Sequence, residues 1–246
     1  MGAALCLQAA PFTDFLGPGG QLMQAESFWT RVLFIVVTIA VMSAYGFVAL
    51  RSVFVGPVVS IPLLPLKQQE EHVATEAMIR QAKSQAANLA PRIVATDGQG
   101  VEHDTESDLS GRCHVLVFIK NGCPCSVAAQ PFFERIAEAF AGEASFMGII
   151  DGTPETARAW GEKYRAKMPI LADPKLKIVR DYGAESSVYV VLIGPDRLIV
   201  RAWPGHSEEM LEELVALIER LTGRKSEDMN FAEAPGTLMA GCPFDL

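Results

Sequence analysis

The stretch DLSGRCHVLVFIKNGCPCS, residues 108–126, places a short apolar run directly before a turn that contains two cysteines. A run such as CHVLVFIK, bounded by turn residues, is typical of a strand that is buried in a sheet. The turn NGCPC contains glycine and proline, and helix-forming residues follow it. The stretch therefore predicts a central strand, a tight turn and a helix that begins near Cys123 and Cys125.

The segments on either side extend this pattern into an α/β domain over residues 91–223. RIVAT and VEHD flank the turn DGQG and predict a hairpin before the central strand. After the first helix come a second strand, further short helices, a pair of strands around the turn PDR, and the amphipathic helix SEEMLEELVALIERL. This order predicts a mixed sheet with helices on both faces.

Three segments of this domain resemble the redoxin branch of the thioredoxin-like superfamily. They are residues 108–126, PILADPKLKIVRDYGA at residues 169–184, and VYVVLIGPDRLIVRAWPGHSEEM at residues 188–210. The resemblance covers residues 91–222, about half of the chain, and implies a thioredoxin-like fold. It also implies thiol-disulfide chemistry at the cysteine-containing turn.

The two cysteines of the turn depart from the thioredoxin pattern Cys-x-x-Cys. Pro131 lies eight residues after Cys123, as the helix proline of thioredoxins follows their first cysteine. The resemblance thus aligns Cys123 with the nucleophile and Ser126 with the resolving cysteine, and Cys125 is an addition between them. A helix N-terminus stabilises a thiolate, so Cys123 and Cys125 are the candidate catalytic residues, with Cys123 the better nucleophile. The Cys125 side chain is expected to diverge from Cys123, and a disulfide between the two would be strained.

Three further comparisons with known chemistry concern residues around the turn. The family's cis-proline falls on Val188, and a cis bond before a non-proline residue costs about 2.5 to 4 kcal/mol, which argues against the usual substrate docking. The threonine that peroxidases of this fold require is replaced by Lys120, which argues against peroxidase chemistry. No spacing brings His114 or His206 to the cysteine pair as a metal ligand, so no cofactor is expected. Cys242 lies in an irregular end and receives no role.

The N-terminal part of the chain predicts a membrane anchor. Nineteen uncharged residues lie between Arg31 and Arg51, nearly enough for a helix to cross a hydrocarbon core of about 30 Å. The predicted organisation is an irregular segment at 1–27, a single transmembrane helix at 28–50 in the lipid bilayer, and an apolar proline-rich stretch with a spacer helix at 51–90. The basic residues do not decide the orientation. The resemblance to anchored redoxins implies the bacterial inner membrane, with the domain in the periplasm.

Composition and the C-terminal tail set the remaining expectations. The net charge of -8 offers no basic field for phosphates, so a nucleic acid partner is not expected. The irregular tail, residues 224–246, is more apolar than a solvated tail requires, and protein partners are predicted at 52–66 and 224–246. Two functions stay open: a membrane-anchored thiol-disulfide oxidoreductase that uses Cys123, and a non-catalytic accessory subunit of a membrane electron-transfer or photosynthetic complex that docks through this fold.

Overall fold

A computed structural model describes residues 72–108, 111–227 and 229–246, together with Leu33 and Val36, which are helical and exposed. The chain divides into two units, residues 1–60 and 61–246, and all described residues except these two belong to the second. Among the described residues, no helix is long and apolar enough to cross a membrane. Apart from Leu33 and Val36, the predicted membrane helix at 28–50 lies outside the described residues.

The second unit alternates helices and strands in the order that the sequence predicts. In chain order, its elements are α1 Glu76–Ser84, β1 Val94–Thr96, β2 Glu102–Asp104, α2 Thr105–Asp108, β3 Cys113–Ile119, α3 Pro124–Ala139, β4 Ala144–Ile150, α4 Pro154–Tyr164, β5 Ile170–Ala172, α5 Lys177–Asp181, β6 Val190–Ile193, β7 Ile199–Trp203 and α6 Glu208–Thr222. Strands β1 and β2 form the predicted hairpin.

The main sheet has five strands in the order β5-β4-β3-β6-β7. Strand β3 is central; it runs parallel to β4 and antiparallel to β6, so the sheet is mixed as predicted. All seven residues of β3 are buried because helices cover both faces. Val115 and Val117 pack with residues of α3 and α6 on one face, and Leu116 and Phe118 pack with residues of α1 and α5 on the other. The prediction of a thioredoxin-like mixed sheet flanked by helices is confirmed.

The spacer helix differs from its predicted extent. It was expected to continue to Pro91, but α1 ends at Ser84. The backbone then leaves the helix to pair with β7: the Ala87 N–H donates to the Ile199 carbonyl over 2.8 Å, and the Ile199 N–H donates to the Asn88 carbonyl over 2.9 Å. Pairing with the sheet edge satisfies these groups in place of a further helical turn.

Candidate thiol site

The cysteine-containing turn connects the end of β3 to the start of α3. Gly122 has a φ of 78°, a left-handed conformation that glycine adopts without strain, and the chain reverses there. Cys123 is the N-cap residue of α3, and Pro124 occupies the first helical position, where its missing N–H costs nothing. The Lys120 N–H donates to the Ser126 hydroxyl over 3.2 Å, so this serine braces the turn. The predicted start of the helix at the cysteines is therefore observed.

The sulfur of Cys123 is buried and accepts several hydrogen bonds. The residue is only 2% exposed. The Ser187 hydroxyl donates to the sulfur over 3.2 Å, and the Cys242 N–H donates over 3.3 Å. A hydrogen bond from Cys125 is the largest influence that lowers the pKa of Cys123, and those from Ser187 and Cys242 add to it, while burial opposes them. The pKa of Cys123 lies well below that of an ordinary thiol, so this residue is the site's thiolate.

The expectation that the Cys125 side chain diverges from Cys123 is wrong. Cys125 is buried and hydrogen-bonds to Cys123, and this bond is the first cause of the raised pKa of Cys125, followed by burial. Its sulfur also lies 3.9 Å from Nδ1 of His72. Because Cys125 is the second residue of α3, two positions after the N-cap, its side chain can fold back toward the helix start. The Cys125 thiol is therefore the hydrogen-bond donor of this pair, and the Cys123 sulfur accepts.

The loop that precedes β6 faces the thiolate. Val188, at the position that the resemblance aligns with the cis-proline, is buried and has a φ of 56°. The described residues contain no cis peptide bond. Ser187, one residue earlier, brings its hydroxyl to Cys123, and its own backbone groups are both paired: its N–H donates to the Cys242 carbonyl and its carbonyl accepts from the Gly241 N–H, each over 2.9 Å.

These partners belong to the end of the chain, residues 239–246, which we call the C-terminal strap. The strap contains no regular helix or strand, yet it pairs with the domain at several points. The N–H groups of Met239 and His206 each donate to the other residue's carbonyl, over 2.9 and 3.0 Å, and the Phe244 N–H donates to the Glu185 carbonyl over 2.9 Å. Phe244 is buried in the core on one face of the sheet. The strap thus crosses directly over the thiolate.

The strap also has a polar contact beside the turn. Lys120 Nζ lies 2.9 Å from an oxygen of Asp245 and 3.8 Å from an oxygen of Asp151, and 5.9 Å from the centre of the Phe244 ring. The hydrogen bond to Asp245 is the largest of the influences that raise the pKa of Lys120. Its positive charge also lowers the pKa of Cys242, although burial and the nearby Cys123 raise that pKa more. Lys120 therefore contacts the strap through an exposed ion pair with Asp245 and acts on the Cys242 thiol by its charge.

His206 is the histidine that lies near the thiolate. It is buried just before α6, and burial lowers its pKa to about 4, so the ring is neutral at neutral pH and contributes no positive charge to the site. His114 is buried on β3. Within the described part of the chain, no three histidine, cysteine or acidic side chains are grouped as a metal site would need.

Sequence reasoning placed Cys123 and Cys125 at the site but missed Ser187 and Cys242. Ser187 could have been found, because it directly precedes the position aligned with the cis-proline. Cys242 was noted as a cysteine without a role, and only its pairing with the loop brings it to the thiolate. Three apolar residues of the tail, Phe231, Met239 and Phe244, are buried in this same domain. The predicted partner surfaces stay predictions, and residues 52–66 lie outside the described residues.

Part of the chain matches a known protein family. The sequence pattern of the AhpC/TSA family matches residues 86–203. Residues 86–203 are therefore similar in sequence to AhpC/TSA-family domains. The AhpC/TSA match contains Cys123, Cys125 and Ser187 but not the strap, so Cys242 is contributed by a segment beyond the matched domain. No curated protein matches the chain.

Solved structures share the fold of this domain at low sequence identity. An uncharacterized conserved protein from Geobacillus kaustophilus has 21% identity and a TM-score of 0.53, with 64% of this chain and 90% of that chain covered. A protein from Bacteroides thetaiotaomicron, described as a candidate protein disulfide isomerase, has 22% identity and a TM-score of 0.51, with 56% and 91% covered. A candidate thiol:disulfide interchange protein DsbE from Chlorobium tepidum has 19% identity and a TM-score of 0.51, with 56% and 98% covered. These likenesses establish a thioredoxin-like fold.

Proposed function

We propose that this protein is a thiol-disulfide oxidoreductase in which Cys123 is the nucleophile. The observation that carries the proposal is the set of donors that converge on the Cys123 sulfur at the start of α3, from Ser187, Cys242 and Cys125. Donors that stabilise a thiolate keep the attacking species populated at neutral pH. A cysteine kept only for packing has no need of them, since a buried structural thiol is inert.

The chemistry of the first step follows from this assignment. The Cys123 thiolate attacks one sulfur of a substrate disulfide, a new S–S bond forms as the substrate S–S bond breaks, and the departing thiolate takes up a proton. The product is a mixed disulfide between Cys123 and the substrate. The similar proteins described as a candidate disulfide isomerase and a candidate interchange protein are in accord with this class of reaction.

Peroxide reduction is the less favoured reaction at this site. The residue three positions before Cys123 is Lys120, whose ammonium group contacts Asp245 and Asp151 on the side of the strap. A hydroxyl that could orient a peroxide at this position is therefore replaced by a charged group that already has partners. Loss of hydrogen peroxide in a parallel assay serves as the control for this alternative.

The proposal is tested by thiol-disulfide exchange with the purified full-length chain. Reduction of insulin disulfides, with dithiothreitol as the electron source, is followed for the wild-type protein and for Cys123→Ser. The serine variant keeps the size of the side chain but lacks the thiolate, so its rate is expected to fall to the background of dithiothreitol alone. Equal rates for the two proteins would refute the assignment of Cys123 as nucleophile.

We further propose that the chain is a single-pass protein of the bacterial inner membrane with this domain in the periplasm. The support is the uncharged run between Arg31 and Arg51 and the resemblance to anchored redoxins. Alkaline carbonate extraction of membranes tests the anchor, and fusion of a periplasm-dependent phosphatase after Leu246 tests the side. Release of the chain by carbonate would contradict the anchor, and an inactive fusion would contradict the periplasmic location.

The accessory-subunit function stays an alternative prediction. This prediction rested in part on the apolar residues of the tail, which a partner protein would cover. The side chains of Phe231 and Phe244 are instead buried within the chain's own domain. Extraction in mild detergent separates the two functions, because an obligate subunit would migrate as part of a large complex.

A further inference from the structure

We propose that Cys242, carried by the C-terminal strap, is the resolving cysteine of this site and forms a disulfide with Cys123 during turnover. This inference rests on the proposed oxidoreductase function and names the second thiol of that reaction. Ser126 occupies the position that the resemblance aligns with a resolving cysteine, and its hydroxyl braces the turn instead. A second thiol within the chain can therefore come only from Cys125 or from another segment.

The strap brings Cys242 to Cys123 through backbone pairing rather than by chance proximity. Ser187 pairs with Gly241 and Cys242, and Ser186 forms a bridge with Pro243, so the register of the strap against the loop is fixed around Cys242. In that register the Cys242 N–H lies 3.3 Å from the Cys123 sulfur. A hydrogen bond between the Cys242 side chain and Cys123 also contributes to the pKa of both thiols.

Two glycines allow this close approach. A Cβ atom at Gly241 would lie 2.0 Å from the Ser187 hydroxyl oxygen, and one at Gly205 would lie 2.4 Å from the Met239 carbonyl oxygen. Contacts this short do not occur in folded proteins, so larger residues at either position would push the strap away from the domain. The absence of side chains at these two positions is a sequence feature on which the placement of Cys242 depends.

Cys125 is the poorer candidate for the second thiol. Its backbone is part of α3, and a disulfide to Cys123 would have to close across Pro124 in a very small ring, far from relaxed disulfide geometry. The strap is not part of a helix, and a disulfide from Cys242 to Cys123 would not have to close a ring of three consecutive residues. Cys242 is also less enclosed than Cys125, since it is partly exposed and Cys125 is buried.

The charges at the site also favour Cys242 once the mixed disulfide has formed. Two of the three influences that raise the pKa of Cys242 come from Cys123, and Lys120 lowers that pKa. When Cys123 is bonded to a substrate sulfur, it carries no charge and no longer raises the pKa of Cys242. The positive charge of Lys120 still lowers that pKa. The raising influence of Cys123 on Cys125 is lost in the same way, but Lys120 is among the influences on Cys242 and not among those on Cys125.

The resolving step balances as follows. The Cys242 thiol gives up its proton, its thiolate attacks the Cys123 sulfur, and the Cys123–substrate bond breaks as the Cys123–Cys242 bond forms. The substrate leaves as a thiol after taking up a proton. Over both steps the substrate disulfide gains two electrons and two protons, and the two cysteine thiols of the protein are oxidised to one disulfide. A dithiol reductant reverses the last change.

Access to Cys123 requires the strap to open. With the strap in place the residue is 2% exposed, which excludes a protein disulfide from the sulfur. Opening exposes Cys123 and frees the N–H and carbonyl of Ser187, which can then pair with an extended segment of a substrate. Strap and substrate therefore compete for the same backbone groups, and return of the strap delivers Cys242 as the substrate leaves.

The test uses the reduced full-length chain and glutathione disulfide as the probe. After a timed reaction, acid and N-ethylmaleimide stop exchange, and non-reducing digestion with mass spectrometry identifies the linked peptides. Wild type is expected to give a link between the peptide of Cys123 and the peptide of Cys242, without retained glutathione. Cys125→Ser is expected to give the same link more slowly, because a serine hydroxyl replaces the thiol that donates to Cys123. In Cys125→Ser the link can only involve Cys123, which removes the ambiguity of two cysteines in one peptide.

Cys242→Ser and Cys242→Ala are expected to lose this link and to accumulate glutathione on the Cys123 peptide. Two different replacements guard against a folding defect in one of them, and circular dichroism checks both. If either folded variant forms the mixed disulfide but releases glutathione as fast as wild type, the resolving role of Cys242 is refuted and the proposed function survives. If no protein takes up more glutathione at this peptide than Cys123→Ser does, both proposals fail.

Discussion

Replacement of Ser187 by alanine removes one donor from the Cys123 thiolate and leaves the backbone of the facing loop intact. The hydroxyl lies 3.2 Å from the sulfur and is buried. Hydrogen bonds to charged groups contribute about 1.5 to 3 kcal/mol, and sulfur is a weak acceptor, so the lower figure of about 1.5 kcal/mol applies. Since one pKa unit corresponds to about 1.4 kcal/mol, Ser187→Ala is expected to raise the pKa of Cys123 by about one unit.

The pKa is measured from the ultraviolet absorbance of the thiolate as pH is raised, with Cys123→Ser subtracted as the blank. Ser186→Ala is the matched control: this neighbouring serine is also buried, and its hydroxyl has no hydrogen-bond partner among the described residues. Its titration is expected to coincide with that of the wild type. A Ser187→Ala titration that also coincides with wild type would refute the view that this hydroxyl stabilises the thiolate.

Ser187→Ala is also expected to change how the free energy of unfolding depends on pH. The pKa of Cys123 in the folded protein lies below that of an unfolded thiol, which is about 8.5. Its thiolate therefore stabilises the fold fully above the unfolded value, and this stabilisation is lost as pH falls toward the folded pKa. The difference in the free energy of unfolding between wild type and Ser187→Ala, measured with urea, should shrink on acidification. A difference that is independent of pH would mean that the serine acts through packing alone.

Other perturbations of the site have related outcomes. Cys125→Ala removes the hydrogen bond that lowers the pKa of Cys123 most, so it is expected to raise that pKa by about one to two units in the same titration. Cys125→Ser keeps a hydrogen-bond donor and should raise the pKa of Cys123 less. Equal shifts for the two variants would contradict the hydrogen bond. Gly205→Ala places a Cβ 2.4 Å from the strap backbone. An overpacking cost of about 1 to 3 kcal/mol should raise the iodoacetamide alkylation rate of Cys123 by about 5- to 140-fold. Gly236→Ala, where a Cβ meets nothing within 4 Å, should leave that rate unchanged, and a similar increase in both variants would refute steric opening of the strap. Asp245→Asn breaks the exposed ion pair with Lys120 and should raise the alkylation rate of Cys123 by less than about fivefold. The difference from wild type should disappear at high salt. A larger increase that is independent of salt would mean that Asp245 holds the strap by other contacts.

The sheet and the start of the site helix could be predicted because they depend on local patterns. The apolar run of β3 and the turn residues around Gly122 identify a buried strand followed by a reversal. Pro131 then fixes the alignment that makes Cys123 the N-cap residue, and the structure places it there. The membrane helix rests on an equally local pattern, but residues 28–50 lie outside the described residues except at two positions, so that prediction is untested.

The covered state of the site could not be predicted because it depends on pairing over a long sequence separation. Nothing local in the tail marks Cys242 as the partner of a loop more than fifty residues earlier, and bridges between short irregular segments have no periodic signal. The direction of the Cys125 side chain was also missed, because geometry along the helix alone ignores the attraction of a thiol to a neighbouring thiolate. Both errors concern contacts with the Cys123 sulfur, which become visible only when its surroundings are assembled.

The strap couples the ionisation of Cys123 to its exposure. Because Cys242 donates to the sulfur only while the strap is closed, closure lowers the pKa of Cys123, and by linkage the thiolate favours closure. An opened strap leaves the donors Cys125 and Ser187 in place, so the exposed thiol retains part of its activation while it meets a substrate. When Cys123 becomes a neutral disulfide sulfur, the thiolate no longer attracts the Cys242 N–H and so no longer favours the closed strap. Backbone pairing with Ser187 still favours closure. The reactivity of Cys123 is thus set by a balance in which the same segment both activates and covers it.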